Sequence, residues 1–335
     1  MLKKGMAALI VLALMLPAAT WAVEFKMATL SPDGTTWMEL LRQGAREISE
    51  RTGGEVTFKF YPGGVMGNDN AVLRKIRIGQ LHGGAIMAGS LSRDFPDSVL
   101  YYQYLKFRDY DEVDYVRARM DHVIIEGLRE KGYEAFGLAE GGFAYIFSKT
   151  PVRGVGDLQT TKTWMPEANY VPTGSLKKRG VSPIPLSLVD VRAGLQTGLV
   201  ETVTAPPVAA LAMQWHTSVR YMTDLPLTYT YALITMGKRH FDRLSPEHQK
   251  IVTEVFTDIT RQLGKHNRKD SAEARRALVA QGIELVAPTA KDVREWNDLA
   301  LDMTSAMVGD GQLSRDLVEE MAGHLDDYRN GHTGG

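Results

Sequence analysis

The chain has 335 residues, of which 44% are hydrophobic and 24% are charged. This is the composition of a globular protein, with enough residues for more than one hydrophobic core. The formal net charge of −1 gives no bulk basicity for binding nucleic acid, so no nucleic-acid partner is predicted. Because the chain has no cysteine, disulfide frameworks, thiolate nucleophiles, zinc–thiolate sites and iron–sulfur clusters are excluded.

The first 22 residues have the parts of a secretory signal peptide. Lys3 and Lys4 form a positive region, residues 6–16 form an apolar stretch, and Pro17 ends that stretch before a few small residues. The stretch is shorter than the ~20 residues that span a bilayer, which disfavours the alternative of a membrane anchor. We therefore predict cleavage near Val23 and export of a chain that is not embedded in the membrane.

The segment after the signal peptide alternates between predicted strands and helices. Residues 25–30 form a predicted strand, residues 36–51 a helix with an apolar face, and residues 56–60 a half-buried strand. Asn68 is placed to cap the next helix, and residues 85–88 have the composition of a short buried strand. This order favours a parallel or mixed sheet covered by helices.

A second α/β unit is predicted further along the chain. Residues 161–165 form a predicted strand, Ser187 is predicted to cap a helix, and residues 201–205 form another strand. Residues 228–236 are a long run of β-branched and aromatic side chains, which suits a strand that returns the chain between two units.

A long helical pattern opens at Ser245 and Pro246 and meets no strong breaker before Gly282. As one helix it would be roughly 55 Å long at 1.5 Å per residue, enough to bridge two lobes. The alternative is a pair of helices broken near Gly264. The rest of the chain is predicted to form two helices and a disordered tail, at about residues 290–308, 313–329 and 331–335.

Motifs that carry catalysis are absent from the sequence. There is no H-E-x-x-H metal motif, no G-x-S-x-G nucleophile turn and no complete dinucleotide-binding glycine pattern. Asp109, Asp111 and Asp114 imitate a calcium loop, but Asp114 stands where a glycine is required, so a solvated turn with a helix cap is the better interpretation. We predict no metal, no cofactor and no enzymatic activity. The alternative is an exported hydrolase that uses a pair of carboxylates, which spacing alone does not exclude.

Five short segments carry a resemblance to a known family. They are ATLSPDG at 28–34 with Trp37, RTGG at 51–54, YPGG at 61–64 with Gly67, FRDYD at 107–111 and LQTGLV at 195–200. In this order, behind a signal peptide and before a long helix, the chain resembles the solute-binding proteins of tripartite ATP-independent periplasmic (TRAP) transporters, of the dicarboxylate-binding type.

The resemblance implies a two-lobed α/β clamshell of the periplasmic-binding-protein type, hinged by crossing strands and a long bridging helix. The ligand would be a small organic molecule enclosed between the lobes in the periplasm and delivered to the membrane permease subunits of a TRAP transporter. A ligand-binding module for a sensor is an alternative. The implied division is lobe I mainly at 23–150, lobe II mainly at 151–228, a return strand at 229–244, the bridging helix at 245–282 and C-terminal helices on the lobes at 283–330.

The chain departs from the family at three polar ligand contacts. Trp164 stands where the family's K-x-R-x-P segment has an arginine that pairs with a ligand carboxylate. Ala144 stands at the position of a second arginine, and Thr204 and Ala205 stand where the family has an asparagine. Carboxylate binding is therefore not predicted for this chain.

The side chains at these positions indicate a pocket remodelled for a ligand that stacks on Trp164 and Phe143, with Glu167 accepting hydrogen bonds or pairing with an amine. In one alternative, Trp164 belongs to the core and Lys106 anchors a carboxylate; in another, Lys106 is a solvated edge residue. Trp37 suits the core equally well. The full set of predicted ligand contacts is Trp37, Asn68, Ser90, Lys106, Phe143, Trp164, Glu167, Leu186 and Thr204.

Overall fold

The computed structural model describes residues 22–167 and 171–332. All but the last residue of the predicted signal peptide, and residues 333–335 of the tail, lie outside the described residues. The strands are β1 (Val23–Thr29), β2 (Val56–Tyr61), β3 (Gly83–Met87), β4 (Tyr133–Ser148), β5 (Trp164–Pro166), β6 (Ile184–Leu186), β7 (Thr202–Ala205), β8 (Tyr221–Thr223), β9 (Thr228–Gly237) and β10 (Glu284–Val286). The helices are α1 (Thr36–Arg51), α2 (Asp69–Arg77), α3 (Ala88–Leu91), α4 (Tyr110–Glu130), α5 (Thr173–Lys177), α6 (Val191–Thr197), α7 (Pro207–Ala212), α8 (Lys238–Phe241), α9 (Pro246–Ala280), α10 (Ala290–Gly309) and α11 (Arg315–His332).

Side-chain caps set the starts of several helices. Asn68 Oδ1 accepts a hydrogen bond of 3.0 Å from the Ala71 amide, so the predicted cap of α2 is confirmed. Asp109 caps α4 by accepting a bond of 2.9 Å from the Glu112 amide, which confirms the helix-cap interpretation of that aspartate. Helix α1 has the bounds that its apolar periodicity predicts.

Eight strands form one mixed sheet; the sequence predicted a parallel or mixed sheet for the first unit only. Their order is β10-β8-β4-β9-β3-β1-β2, and β7 also pairs with β4. Strand β1 is parallel to β2 and β3, whereas β3 is antiparallel to β9. We call β1–β3 and the helices packed on them the first lobe, and β5–β8 with β10 and their helices the second lobe.

The long strands β4 and β9 connect the two lobes. Strand β4 pairs with β9 from Tyr133 to Ala144, and its last residues, from Tyr145 to Ser148, pair with β7 and β8. The sequence predicted β9 but not β4. A positive φ of 125° at Gly137 and two register shifts along this ladder interrupt the alternation that identifies a strand.

Helix α9 is one continuous helix of 35 residues, so the alternative of a break near Gly264 is wrong. Ser245 caps it, accepting a hydrogen bond of 3.2 Å from the His248 amide. Phe256 lies in an apolar cluster of the first lobe, and Leu278 lies in an apolar cluster of the second. The helix therefore bridges the lobes, as predicted. Within the described ranges, no helix combines the length and the apolar composition needed to cross a bilayer.

Two local predictions are wrong. Ser187 makes no capping hydrogen bond, because a short 3-10 turn (Leu188–Asp190) separates it from α6. Gly331 and His332, predicted to be part of a disordered tail, are the last two residues of α11.

We predict that Gly83→Ala strongly destabilises the sheet. A Cβ at Gly83 would lie 2.3 Å from the carbonyl oxygen of Thr235 and 2.7 Å from Sδ of Met27, and the oxygen belongs to the backbone of the paired strand. The free energy of unfolding, measured by urea titration, should fall by about 1–3 kcal/mol. The control is Gly156→Ala, whose Cβ would meet no heavy atom within 4 Å. Equal stabilities for the two variants would contradict the register of β3 against β9.

Candidate ligand-binding site

A cavity of about 330 Å³ lies between the two lobes. Its walls come from the segments that follow β1 and β3 in the first lobe, from β5 and β7 in the second, and from the connecting elements β4, β9 and α9. The carboxyl ends of parallel strands meet at one edge of a sheet, which brings loop residues from separate parts of the chain together. The lobes and their connections thus all contribute to one site.

The structure brings six of the nine predicted contacts to this cavity. Those that line it are Trp37, Asn68, Ser90, Trp164, Glu167 and Thr204. Ala144 and Ala205, which stand at positions where the resemblance implies polar ligand contacts, also line it. Lys106, Phe143 and Leu186 are not among the lining residues.

Trp164 is held rigidly at the cavity wall. Its Nε1 donates a hydrogen bond of 3.0 Å to the Leu186 carbonyl oxygen, and its ring packs edge-on against Trp215 with the centroids 5.6 Å apart. The side chain is only 7% exposed and belongs to the apolar cluster of the second lobe, yet it also lines the cavity. Trp164 therefore packs in the core of the second lobe and also lines the cleft, so the two alternatives do not exclude each other.

The remaining predicted contacts have other surroundings. Phe143 is buried on the face of β4 opposite to Ala144 and packs on Tyr110 at 4.9 Å between ring centroids. The Lys106 ammonium lies beside Arg329; burial, together with that positive charge, lowers the pKa of Lys106. Leu186 presents its carbonyl oxygen to Trp164.

Three carboxylates line the cavity. Asp69, at the start of α2, accepts a hydrogen bond of 3.0 Å from the Met87 amide, and burial raises its pKa to about 6. Asp270 of α9 accepts a bond of 2.8 Å from Thr36 Oγ1. Glu167 accepts a bond of 3.2 Å from Asn68 Nδ2, which joins the two lobes across the cavity mouth.

Three buried polar atoms at the cavity have no hydrogen-bond partner among the described residues. They are Thr163 Oγ1, Ser187 Oγ and Asn267 Nδ2. Leaving a buried polar group unpaired costs about 1–3 kcal/mol. A molecule in the cavity with suitable donors and acceptors would remove that cost.

Sequence reasoning missed Asp69, Asn267 and Asp270. The last two are polar positions three residues apart on α9, which puts them on one helical face. In the sequence they fall in the polar stretch of the helix and look solvent-exposed. The informative signal for Asp69 was its place directly after the capping Asn68, at the loop edge of the sheet.

Residues 27–308 match the family described as bacterial extracellular solute-binding protein, family 7 (DctP). A protein described as a solute-binding protein of Verminephrobacter eiseniae is 26% identical over 251 residues, which are 72% of this chain and 72% of the relative. The 2,3-diketo-L-gulonate-binding periplasmic protein YiaO of Escherichia coli is 25% identical over 290 residues, 81% of this chain and 83% of the relative.

Solved structures have the same fold. The sugar acid binding protein of Advenella mimigardefordensis, in complex with galactonate, superposes with a TM-score of 0.85 at 15% identity and covers 92% of this chain and 99% of its own. A TRAP periplasmic solute binding protein of Roseobacter denitrificans, with bound β-D-glucuronate, gives a TM-score of 0.83 at 20% identity, covering 89% of this chain and 99% of its own.

We predict that Asp69→Asn stabilises the ligand-free protein at neutral pH. Burial raises the pKa of Asp69 from 3.8 to about 6, so ionisation penalises the folded state. The penalty is absent below about pH 4, grows as the pH rises through that interval and reaches about 3 kcal/mol above about pH 6. Asparagine keeps an acceptor for the Met87 amide and cannot ionise. Its free energy of unfolding should exceed that of the wild type by about 1–3 kcal/mol at pH 7.5.

Urea unfolding at pH 7.5 and pH 4 tests this sign. At pH 4 the difference between Asp69→Asn and the wild type should vanish. Glu319→Gln, which removes an exposed carboxylate of α11, is the control and should change stability by less than about 0.5 kcal/mol at either pH. A gain for Asp69→Asn that is equal at both pH values would contradict the assigned cause.

Proposed function

Because the chain belongs to family 7 of the bacterial extracellular solute-binding proteins, we propose that its interlobe cavity captures a small organic molecule for delivery to the permease of a TRAP transporter. The observation that carries this proposal is the cavity itself, about 330 Å³ between two lobes, with three buried polar atoms at its wall that lack a partner among the described residues. A solute that fills it contacts both lobes at once.

Capture and closure are then one equilibrium. A solute favours the closed arrangement only through contacts that the open arrangement lacks, which are those made to both lobes together. Trp164 and Thr204 line the cavity on the side of the second lobe, and Asn68 and Ser90 line it on the side of the first lobe. The hydrogen bond between Asn68 and Glu167 lies across the same gap and adds to the stability of the closed form.

The place of action is the periplasm. The family description is of extracellular proteins, and the first 22 residues have the charged and apolar regions of a cleavable signal peptide. After cleavage near Val23, the protein would diffuse within the periplasm and present its closed form to the permease.

The proposed role requires no catalysis. Family 7 is described by solute binding. The polar side chains at the cavity include hydroxyls, amides, the imidazole of His266 and three carboxylates, and the carboxylates already accept hydrogen bonds from their own chain. We propose that Trp164, in place of the arginine that the resemblance implies, makes the recognition different from that of a carboxylate-binding relative.

We predict that Trp164→Ala weakens binding of the tightest solute from a thermal-shift screen at least tenfold, about 1.4 kcal/mol. The variant removes a ring that lines the cavity and is held by Leu186 and Trp215. Isothermal titration calorimetry measures the change, and circular dichroism checks folding.

Two further variants make this test specific. Trp164→Phe keeps an aromatic face and should retain most of the affinity. Phe58→Ala, which truncates a partly buried ring packed on the first-lobe core, is not at the cavity and should bind as the wild type does. Wild-type affinity in a folded Trp164→Ala protein would show that the solute does not touch this wall.

A further inference from the structure

We propose that the solute is a small organic cation, an ammonium compound with an apolar body, rather than a carboxylate. The inference rests on the proposed function, because it concerns the same interlobe cavity and names the chemical class of what enters it.

The first observation is the charge of the cavity wall. Asp69, Glu167 and Asp270 line it, and none of the described lining residues is a lysine or an arginine. His266 is the one described lining residue that can become positive; it is exposed, and its Nδ1 lies 3.1 Å from the Gln262 carbonyl oxygen. The fixed charge at the wall is therefore negative.

Neighbouring cations are engaged elsewhere. Arg268 lies on α9 between the cavity residues Asn267 and Asp270, but its guanidinium pairs with Glu140 at 2.7 Å and with Asp114 at 2.5 Å. Within the described ranges, neither Asp69, Glu167 nor Asp270 forms an ion pair. The cavity carboxylates are left for a cation that comes from outside the chain.

Closure of the lobes raises the energetic cost of the unpaired negative charges at the cavity wall. When the lobes enclose a solute, water is removed from the carboxylates, and an uncompensated buried charge is costly. The raised pKa of Asp69 shows that burial already disfavours its ionised form. An ammonium group beside a carboxylate is attracted to it more strongly in a closed cavity than in bulk water, because the effective dielectric constant is lower there. A carboxylate solute would instead add another negative charge.

The second, independent observation is the polar and aromatic lining. Ser187 is 7% exposed and Asn267 is 4% exposed, and Ser187 Oγ and Asn267 Nδ2 have no described partner. A hydroxyl oxygen accepts from an ammonium N–H, and an amide N–H donates to an acceptor such as a solute hydroxyl. Trp37, Trp164 and Trp215 line the same cavity and offer aromatic surface to a cation and to its apolar body.

The test compares probes that match in shape and differ in charge. One set is 2-phenylethylamine, 2-phenylethanol and phenylacetate; another is choline and 3,3-dimethylbutan-1-ol; D-glucuronate is added because a related structure holds it. Thermal shift ranks these probes within a panel of organic ammonium compounds and their neutral and acidic counterparts, and calorimetry measures affinity. The best ammonium compound should bind at least tenfold more tightly than its neutral counterpart.

The outcomes separate the two proposals. A carboxylate or neutral compound that binds as tightly as the best ammonium compound overturns the charge assignment and leaves solute capture standing. A panel in which no ammonium compound stabilises the protein also overturns that assignment. If no compound of any class stabilises it, solute capture itself is contradicted as well.

A charge-neutralising variant locates the effect. Asp270→Asn keeps an acceptor for Thr36 Oγ1 and removes the charge. This variant should weaken binding of the ammonium compound at least tenfold and change the affinity for its neutral counterpart by less than twofold. Glu319→Gln removes an exposed charge from α11, away from the cavity, and should change neither affinity. Equal losses for the charged and neutral probes in Asp270→Asn would overturn the electrostatic role.

Discussion

The hydrogen-bond ladder between β4 and β9 is the constraint on which the rest of the structure depends. The strand β4 pairs with β9 up to Ala144 and then with β7 and β8, so this one strand joins the parts of the sheet that belong to the two lobes. Helix α9 spans the same two bodies and buries Phe256 in one and Leu278 in the other. These connections hold the lobes at opposite sides of a gap and confine their relative motion to bending of the shared elements.

The elements that the sequence predicted are those whose signals are local. The Ser245-Pro246 start and the apolar stripe of α9 lie within a few turns of each other, so the helix was identifiable without its neighbours. The pattern of β4 contains Gly137, with its positive φ, and its partner β9 is far away in sequence, so only the folded ladder identifies it as a strand. Phe143 was misplaced for the same reason, because strand alternation settles which face it occupies.

At the cavity, the resemblance located the wall and the structure supplied its polarity. Trp164 and Ala144 both line the cavity, and neither carries charge. The acidic side chains Asp69 and Asp270 were not recognised in the sequence because their neighbours make them look like cap and surface residues. Specificity is a difference of affinities, and unpaired carboxylates at the wall would disfavour an anion as well as favour a cation. One fold can thus serve unlike solutes through a few positions at the lobe interface.

The most direct test of the central claim, closure of two lobes on a solute, is a distance measurement across the gap. The chain has no cysteine, so Ile78→Cys in the first lobe and Leu199→Cys in the second, at side chains 73% and 48% exposed, accept spin labels at defined places. Pulsed electron–electron double resonance would be recorded on the doubly labelled protein without solute and with a saturating amount of the tightest-binding solute. A shorter and narrower distance distribution on binding is predicted. An identical distribution in both samples would contradict the account.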